Sequence, residues 1–140
     1  MNRAVLDTNV LVSGLLNPRG SPGKLLNEIA ANNLTAVYSD PIFEEYAEVL
    51  VRPSLRLAPR AVLELLLLFG EVGEYIPPSQ NILSEISHMD FPDADDMPFY
   101  AAALAARCPL VTGNLKHYPK RSPVEVLSPA QAVKRWASER

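Results

Sequence analysis

Val5-Leu-Asp-Thr-Asn-Val-Leu-Val-Ser13 carries the reading of the whole chain. Preceded by Arg3 and Ala4, it opens as a short apolar run, the pattern of a buried strand, and stops at a carboxylate. From Thr8 onward Val10, Leu11, Leu15 and Leu16 recur at a loose helical spacing, until Asn17-Pro-Arg-Gly-Ser-Pro22 breaks the chain. A buried strand that passes an aspartate straight into a helix is the building unit of an α/β sheet. Ligands of such sheets bind beyond the carboxyl ends of the strands, which is where Asp7 would lie.

The alternation continues outward. Residues 23–32 read as a second helix and 35–39 as a second strand, by β-branched and aromatic content. Asp40-Pro41 then supplies an N-cap and a first-turn proline for a helix to about residue 51. A leucine-rich helix follows over 60–73, and a weak strand over 74–76 ends in Pro77-Pro78. Residues 81–95 read as irregular and acidic. A helix from Asp96 to Arg107, a strand over 109–112, a last strand over 124–127 and a helix over 128–138 complete the chain. This pattern predicts one domain over residues 1–140, of α/β class, with a mostly parallel sheet and helices on both faces. The order of the strands does not follow from it.

Composition bounds the function. The 140 residues are 48% hydrophobic and 21% charged, which excludes disordered and fibrous classes. Cys108 is the single cysteine, so neither a disulfide framework nor a thiolate zinc site can form, as suits a cytoplasmic protein. No apolar run spans a bilayer, and the first residues lack the pattern of a signal peptide, so no membrane association is expected. The net charge of −3 hides an asymmetry. Residues 85–96 hold Glu85, Asp90, Asp93, Asp95 and Asp96 with no lysine or arginine, whereas Lys116, Lys120, Arg121, Lys134 and Arg135 make the end of the chain basic. An acidic spot beside a basic one suits a cation held next to a polyanion.

Each acid also has a purely structural reading. Asp7 could cap the helix that follows it. Glu45 falls on the flank of a helix whose apolar face is Ile42, Phe43, Tyr46, Val49 and Leu50, where it would pair with Arg52 or Arg56 or else with a cation. In Asp93-Ala-Asp-Asp96, one aspartate suffices as a cap; Asp96 shares the inward face of Phe99 and Tyr100, and Asp95 points away. Asn114, after Gly113, could be a cap too. Taken together, Asp7, Glu45 and Asp96 around one sheet edge have a single explanation, a divalent metal. Oxygen ligands without cysteine or paired histidines suit Mg²⁺ or Mn²⁺, and the chemistry such a site serves is phosphodiester hydrolysis.

These residues resemble a PIN domain, the metal-dependent nuclease fold that includes the toxins of VapBC-type toxin–antitoxin pairs. The pieces that carry the resemblance are the opening nine residues quoted above, Ser39-Asp-Pro-Ile-Phe-Glu-Glu-Tyr-Ala-Glu-Val-Leu50, Asp93-Ala-Asp-Asp-Met-Pro-Phe99 and Leu110-Val-Thr-Gly-Asn-Leu115. The resemblance implies a three-layer α/β/α sandwich and an endoribonuclease, the toxin of a toxin–antitoxin pair. It implies that Asp7, Glu45 and Asp96 are the catalytic metal-binding carboxylates. Asp93 and Asn114 would extend the metal set, and Asn9, Ser39 and Thr112 would support the acids by hydrogen bonding. Many relatives carry a fourth aspartate where this chain has Asn114, so a second metal would be held more weakly.

Lys116, Lys120 and Arg121 are candidates to track an RNA backbone, with Tyr118 available to stack a base. His117 and His88 receive no role, and Trp136 is expected to pack the last helix on the core. A homodimer is expected, with the apolar helix face over 62–69 as one surface, and an antitoxin is the expected protein partner. Two other functions compete. A domain with Asn114 in place of an acid could bind RNA or protein without cutting. A phosphatase or phospho-acceptor domain would need an Asp-x-Asp pair after the first strand, and position 9 is Asn.

Overall fold

A computed structural model describes residues 2–120 and 122–136. Among them are five strands: β1 Asn2–Leu6, β2 Leu34–Tyr38, β3 Glu74–Tyr75, β4 Leu110–Val111 and β5 Val126–Leu127. Seven α-helices accompany them: α1 Thr8–Leu16, α2 Ser21–Ala30, α3 Asp40–Leu50, α4 Pro59–Val72, α5 Gln80–Ile86, α6 Met97–Ala106 and α7 Pro129–Trp136. The strands form one sheet in the order β3-β2-β1-β4-β5, and every neighbouring pair is parallel.

The order explains why the central strands are so apolar. Right-handed crossovers run one way from β1 to β3 and the other way from β3 to β4, so their helices cover opposite faces. α2 packs against α1, α7 and β2, and α6 packs against α5, β1 and β2. Val5, Leu6, Leu110 and Val111 are accordingly fully buried, as strands covered on both faces must be. Trp136 is buried as expected, and places α7 on this core. The chain reverses direction across the sheet between β1 and β4. That is the switch point at which the ends of parallel strands open a crevice.

Among the described residues, element boundaries differ from the expected ones by at most two residues, and one element is new. Part of the stretch read as irregular forms α5, whose start is capped by Ser79, with Ile82 N–H donating to its Oγ at 3.3 Å. One-turn 3₁₀ segments occur at Pro53–Leu55, Ala94–Asp96 and Leu115–His117. In α4, Val62, Leu65 and Phe69 point into the core, while Leu63 and Leu67 are 57% and 61% exposed. Among the described residues no helix is long and apolar enough to cross a membrane.

Candidate active site

Asp7 lies directly after β1, at the N-cap position of α1, yet its side chain makes no capping hydrogen bond. The carboxylate is 6% exposed and turned toward β4 instead. Thr112 Oγ1 donates to Asp7 Oδ2 at 2.8 Å and the Tyr118 hydroxyl donates to the same oxygen at 3.0 Å. Thr112 Oγ1 in turn accepts from Asn114 N–H at 3.0 Å and from Asn9 Nδ2 at 3.4 Å, and Asn9 Oδ1 accepts from Gly113 N–H at 2.9 Å. One donor and two acceptor positions fully occupy the threonine hydroxyl. Asn9 and Thr112 thus form a hydrogen-bonded chain behind Asp7. Ser39 is buried at the start of α3 and lines a separate small apolar cavity with Pro41, Ile76 and Pro98, with no described hydrogen bond to the acids.

Glu45 reaches the same place because of its neighbour. Tyr46 is fully buried, its ring lies 5.6 Å from that of Phe69, and its hydroxyl donates to the Leu6 carbonyl at 2.5 Å. With Tyr46 tied to the end of β1, Glu45 on the flank of α3 faces the residues after β1, and Thr8 Oγ1 donates to its carboxylate. An arginine partner is not realised among the described residues: Arg52 pairs weakly with Glu48, one turn back. Burial raises the Glu45 carboxyl above the ordinary carboxylate range; the Thr8 bond opposes this, and the charges of Asp7, Asp95 and Asp96 add to it.

Asp96 ends the 3₁₀ turn that leads into α6 and is 7% exposed. The capping role falls to Asp93, whose Oδ1 accepts from Asp95 N–H at 2.9 Å. Asp96 Oδ2 lies 3.1 Å from His117 Nδ1, a contact in which the ring N–H donates when the carboxylate is ionised. Burial is again the first cause of a raised carboxyl; Asp7 raises it further, His117 opposes and Asp93 adds. Burial beside Asp7 and Asp96 also lifts the Tyr118 hydroxyl well above the usual phenol range, so it stays a proton donor.

Asp7, Glu45, Asp93, Asp96 and Asn114 therefore line one hollow of about 430 Å³, together with His117. Asp95 reaches its rim as well, against the expectation that it points away. Among the described residues, Arg52 is the one guanidinium or ammonium side chain on its wall. Lys116 and Lys120 are exposed outside that wall, and Arg121 lies outside the described residues. Tyr118 is only 4% exposed, so it cannot stack a base; burial overrides the reading from its basic neighbours. Sequence reasoning gave no role to Thr8 or His117, took Tyr118 for a base-stacking residue, and named Arg52 only as an ion-pair partner of Glu45.

Among the described residues no three His, Cys, Asp or Glu side chains converge as a ready-made cage. The donor set nonetheless suits a hard cation that completes its shell with water and phosphate. Asp7 Oδ1, Glu45 Oε1 and Asp96 Oδ1 accept no hydrogen bond from the described residues, while the other oxygen of each is held.

The mutual repulsion has a measurable consequence. Asp96→Asn or Glu45→Gln is expected to raise Tm in EDTA at neutral pH, because each removes a charge that folding brings near others. A carboxyl whose pKa is higher folded than unfolded binds its proton more tightly in the folded chain. The wild type therefore gains stability as pH falls through the raised value toward the unfolded one, and the Tm gap closes in mild acid. Thermal denaturation at the two pH values checks both statements; a variant no more stable than wild type at neutral pH contradicts them.

A family model described as PIN domain matches residues 3–116, a span that holds Asp7, Glu45, Asp96 and Asn114 and stops before His117. Over 115 residues, 80% of this chain, the sequence is 30% identical to the uncharacterized protein MJ1680 of Methanocaldococcus jannaschii, of which it spans 70%. In fold it is similar to VapBC2 from Rickettsia felis, solved bound to a DNA fragment from its promoter: TM-score 0.63 at 20% identity, over 90% of this chain and 98% of that one. VapBC-1 from nontypeable Haemophilus influenzae gives a TM-score of 0.60 at 16% identity, over 91% and 98%. FitAB bound to a DNA fragment gives 0.61 at 20% identity, over 90% and 94%.

Proposed function

Since the chain belongs to the PIN-domain family, we propose that it is a divalent-metal-dependent endoribonuclease, the toxin of a toxin–antitoxin pair. The observation that carries this reading is the meeting of three buried or half-buried acids from separate elements, Asp7, Glu45 and Asp96, at the switch point of a parallel sheet. The Thr8 and His117 contacts offset their repulsion only in part, and a cation would offset the rest. Asp7, Glu45 and Asp96 would hold Mg²⁺ or Mn²⁺, with Asp93 and Asn114 at the edge of the set. The ion supplies a water of lowered pKa and neutralises charge gathering on the phosphate. Arg52, which lines the same hollow, would meet a neighbouring phosphate of the same strand, and Lys116, Lys120 and Arg121 would follow the backbone beyond it. Asn114 brings an amide oxygen but no charge, so this site favours one tightly held ion.

The structural neighbours are VapBC and FitAB assemblies. By analogy we assign this chain an antitoxin partner; a homodimer is proposed separately, with the exposed Leu63 and Leu67 of α4 as apolar contacts. A cytoplasmic location goes with that role. The neutral Asn114 favours one other reading, a PIN domain that binds RNA or protein without cutting.

The deciding experiment incubates purified protein with a mixed RNA pool in Mn²⁺, beside EDTA and an Asp7→Asn/Asp96→Asn double variant. Cleavage lost in both controls supports the nuclease; cleavage that survives them, or none in wild type, moves the weight to the binding module. The raised Glu45 and Asp96 carboxyls set the expected pH profile. Protons compete with the metal at a higher pH than for ordinary carboxylates, so the rate at limiting Mn²⁺ falls on acidification and excess Mn²⁺ restores part of it. A rate flat from mildly alkaline to acid pH would sink that account.

A further inference from the structure

We propose that Tyr118 and His117 act as a clamp that fixes the relative orientation of Asp7 and Asp96, and are thus positioning residues of the site. The inference rests on the nuclease reading above and deepens it. The two residues are adjacent in sequence but hold carboxylates from distant parts of the chain, one at the end of β1 and one at the start of α6.

Tyr118 donates its hydroxyl to Asp7 Oδ2 at 3.0 Å, and His117 Nδ1 lies 3.1 Å from Asp96 Oδ2. The 3₁₀ turn Leu115–His117 aims the pair, closed by His117 N–H to the Asn114 carbonyl at 3.0 Å and Tyr118 N–H to the Leu115 carbonyl at 3.2 Å. Behind it, the Phe91 ring packs edge-on against Tyr118, with centroids 6.4 Å apart, and against Tyr100 at 5.4 Å. The tyrosine is therefore held from the back while its hydroxyl reaches the acid.

Two carboxylates at one hollow repel each other, and without donors they would turn apart. The clamp opposes that motion from a single rigid turn. It also occupies one oxygen on each carboxylate and leaves the other without a described donor. Such outer partners hold a ligand's orientation before the ion arrives, which raises affinity without touching the ion.

Tyr118→Phe keeps the ring packing and removes only the hydroxyl. His117→Ala removes the second arm from a partly exposed side chain, and His117→Asn returns an N–H donor near the Nδ1 position. The readout is Mn²⁺ affinity of the full chain by calorimetry, with Tm in EDTA as the folding control and Asp7→Asn defining binding at the site. Tyr118→Phe and His117→Ala are each expected to weaken Mn²⁺ binding by about tenfold, with His117→Asn restored to within about threefold of wild type. Wild-type affinity in Tyr118→Phe, or a His117→Ala loss that His117→Asn does not restore, overturns the clamp. Should Tyr118→Phe fail to fold, the histidine pair alone decides. Mn²⁺ binding that survives Asp7→Asn defeats the nuclease reading and the clamp with it. Asp7-dependent binding that ignores the clamp variants defeats the clamp alone.

Discussion

Under the proposed ribonuclease function, Asp7→Asn is expected to lower RNA cleavage at saturating Mn²⁺ by at least about 10³-fold, roughly 4 kcal/mol of transition-state stabilisation. The size follows from position. Asp7 is the acid whose charge raises both of the others, Glu45 and Asp96, so it stands at the electrostatic centre of the set. An asparagine keeps the shape and can still accept from Thr112 and Tyr118, so the fold survives while the charge that would hold the cation is gone. Asp96→Asn removes a member of the same unit. Groups that work as a unit do not add, and the double variant is expected to be about as slow as the worse single one. Single-turnover rates on one labelled RNA check this, with circular dichroism confirming the fold. A single variant that retains a tenth of wild-type activity would contradict it.

The acids were legible in sequence because each carries a local mark. Asp7 ends an apolar run, Glu45 falls on the flank of the apolar face of a patterned helix, and Asp96 falls on the inward side of the helix it precedes. All three line the same hollow, Asp7 and Asp96 buried and Glu45 half-buried. What the sequence could not carry is which strands are neighbours. β1 and β4 are more than a hundred residues apart, and only their pairing brings Thr112, His117 and Tyr118 over Asp7 and Asp96. Tyr118 sits among lysines and reads locally as a base-stacking surface residue, whereas its real environment is set by an element at the other end of the chain. α5 escaped for a different reason. It has seven residues with only Ile86 buried, too short for a period to be counted, and it is flanked by prolines. Ser39 is the reverse case: its motif position suggested support for the acids, but the start of α3 directs it to the opposite side of the helix entry, next to α5 and α6.

Tyr46→Ala is expected to destabilise the protein by about 3–5 kcal/mol, as large aromatic-to-alanine changes in a closed core do. Tyr46 has no exposed surface, and its ring meets Phe69 at 5.6 Å and Phe99 at 6.2 Å, so α3, α4 and α6 all lose a partner at once. The change also strands the Leu6 carbonyl, which accepts the tyrosine hydroxyl at 2.5 Å. Tyr46→Phe isolates that last effect: it keeps the rings and removes one buried hydrogen bond, for about 1 kcal/mol. Urea denaturation separates the two, with a lower midpoint and unchanged slope if only the folded state is affected. Against a total of about 5–15 kcal/mol for a domain of this kind, the alanine variant approaches the limit of folding. The same side chain ties α3 to the end of β1, and so sets the distance at which Glu45 meets Asp7. In Tyr46→Phe the fold persists but that tie is cut, and Mn²⁺ affinity is expected to fall more than stability does. Equal Mn²⁺ affinity in Tyr46→Phe and wild type would show instead that Glu45 is placed by the packing of α3 alone.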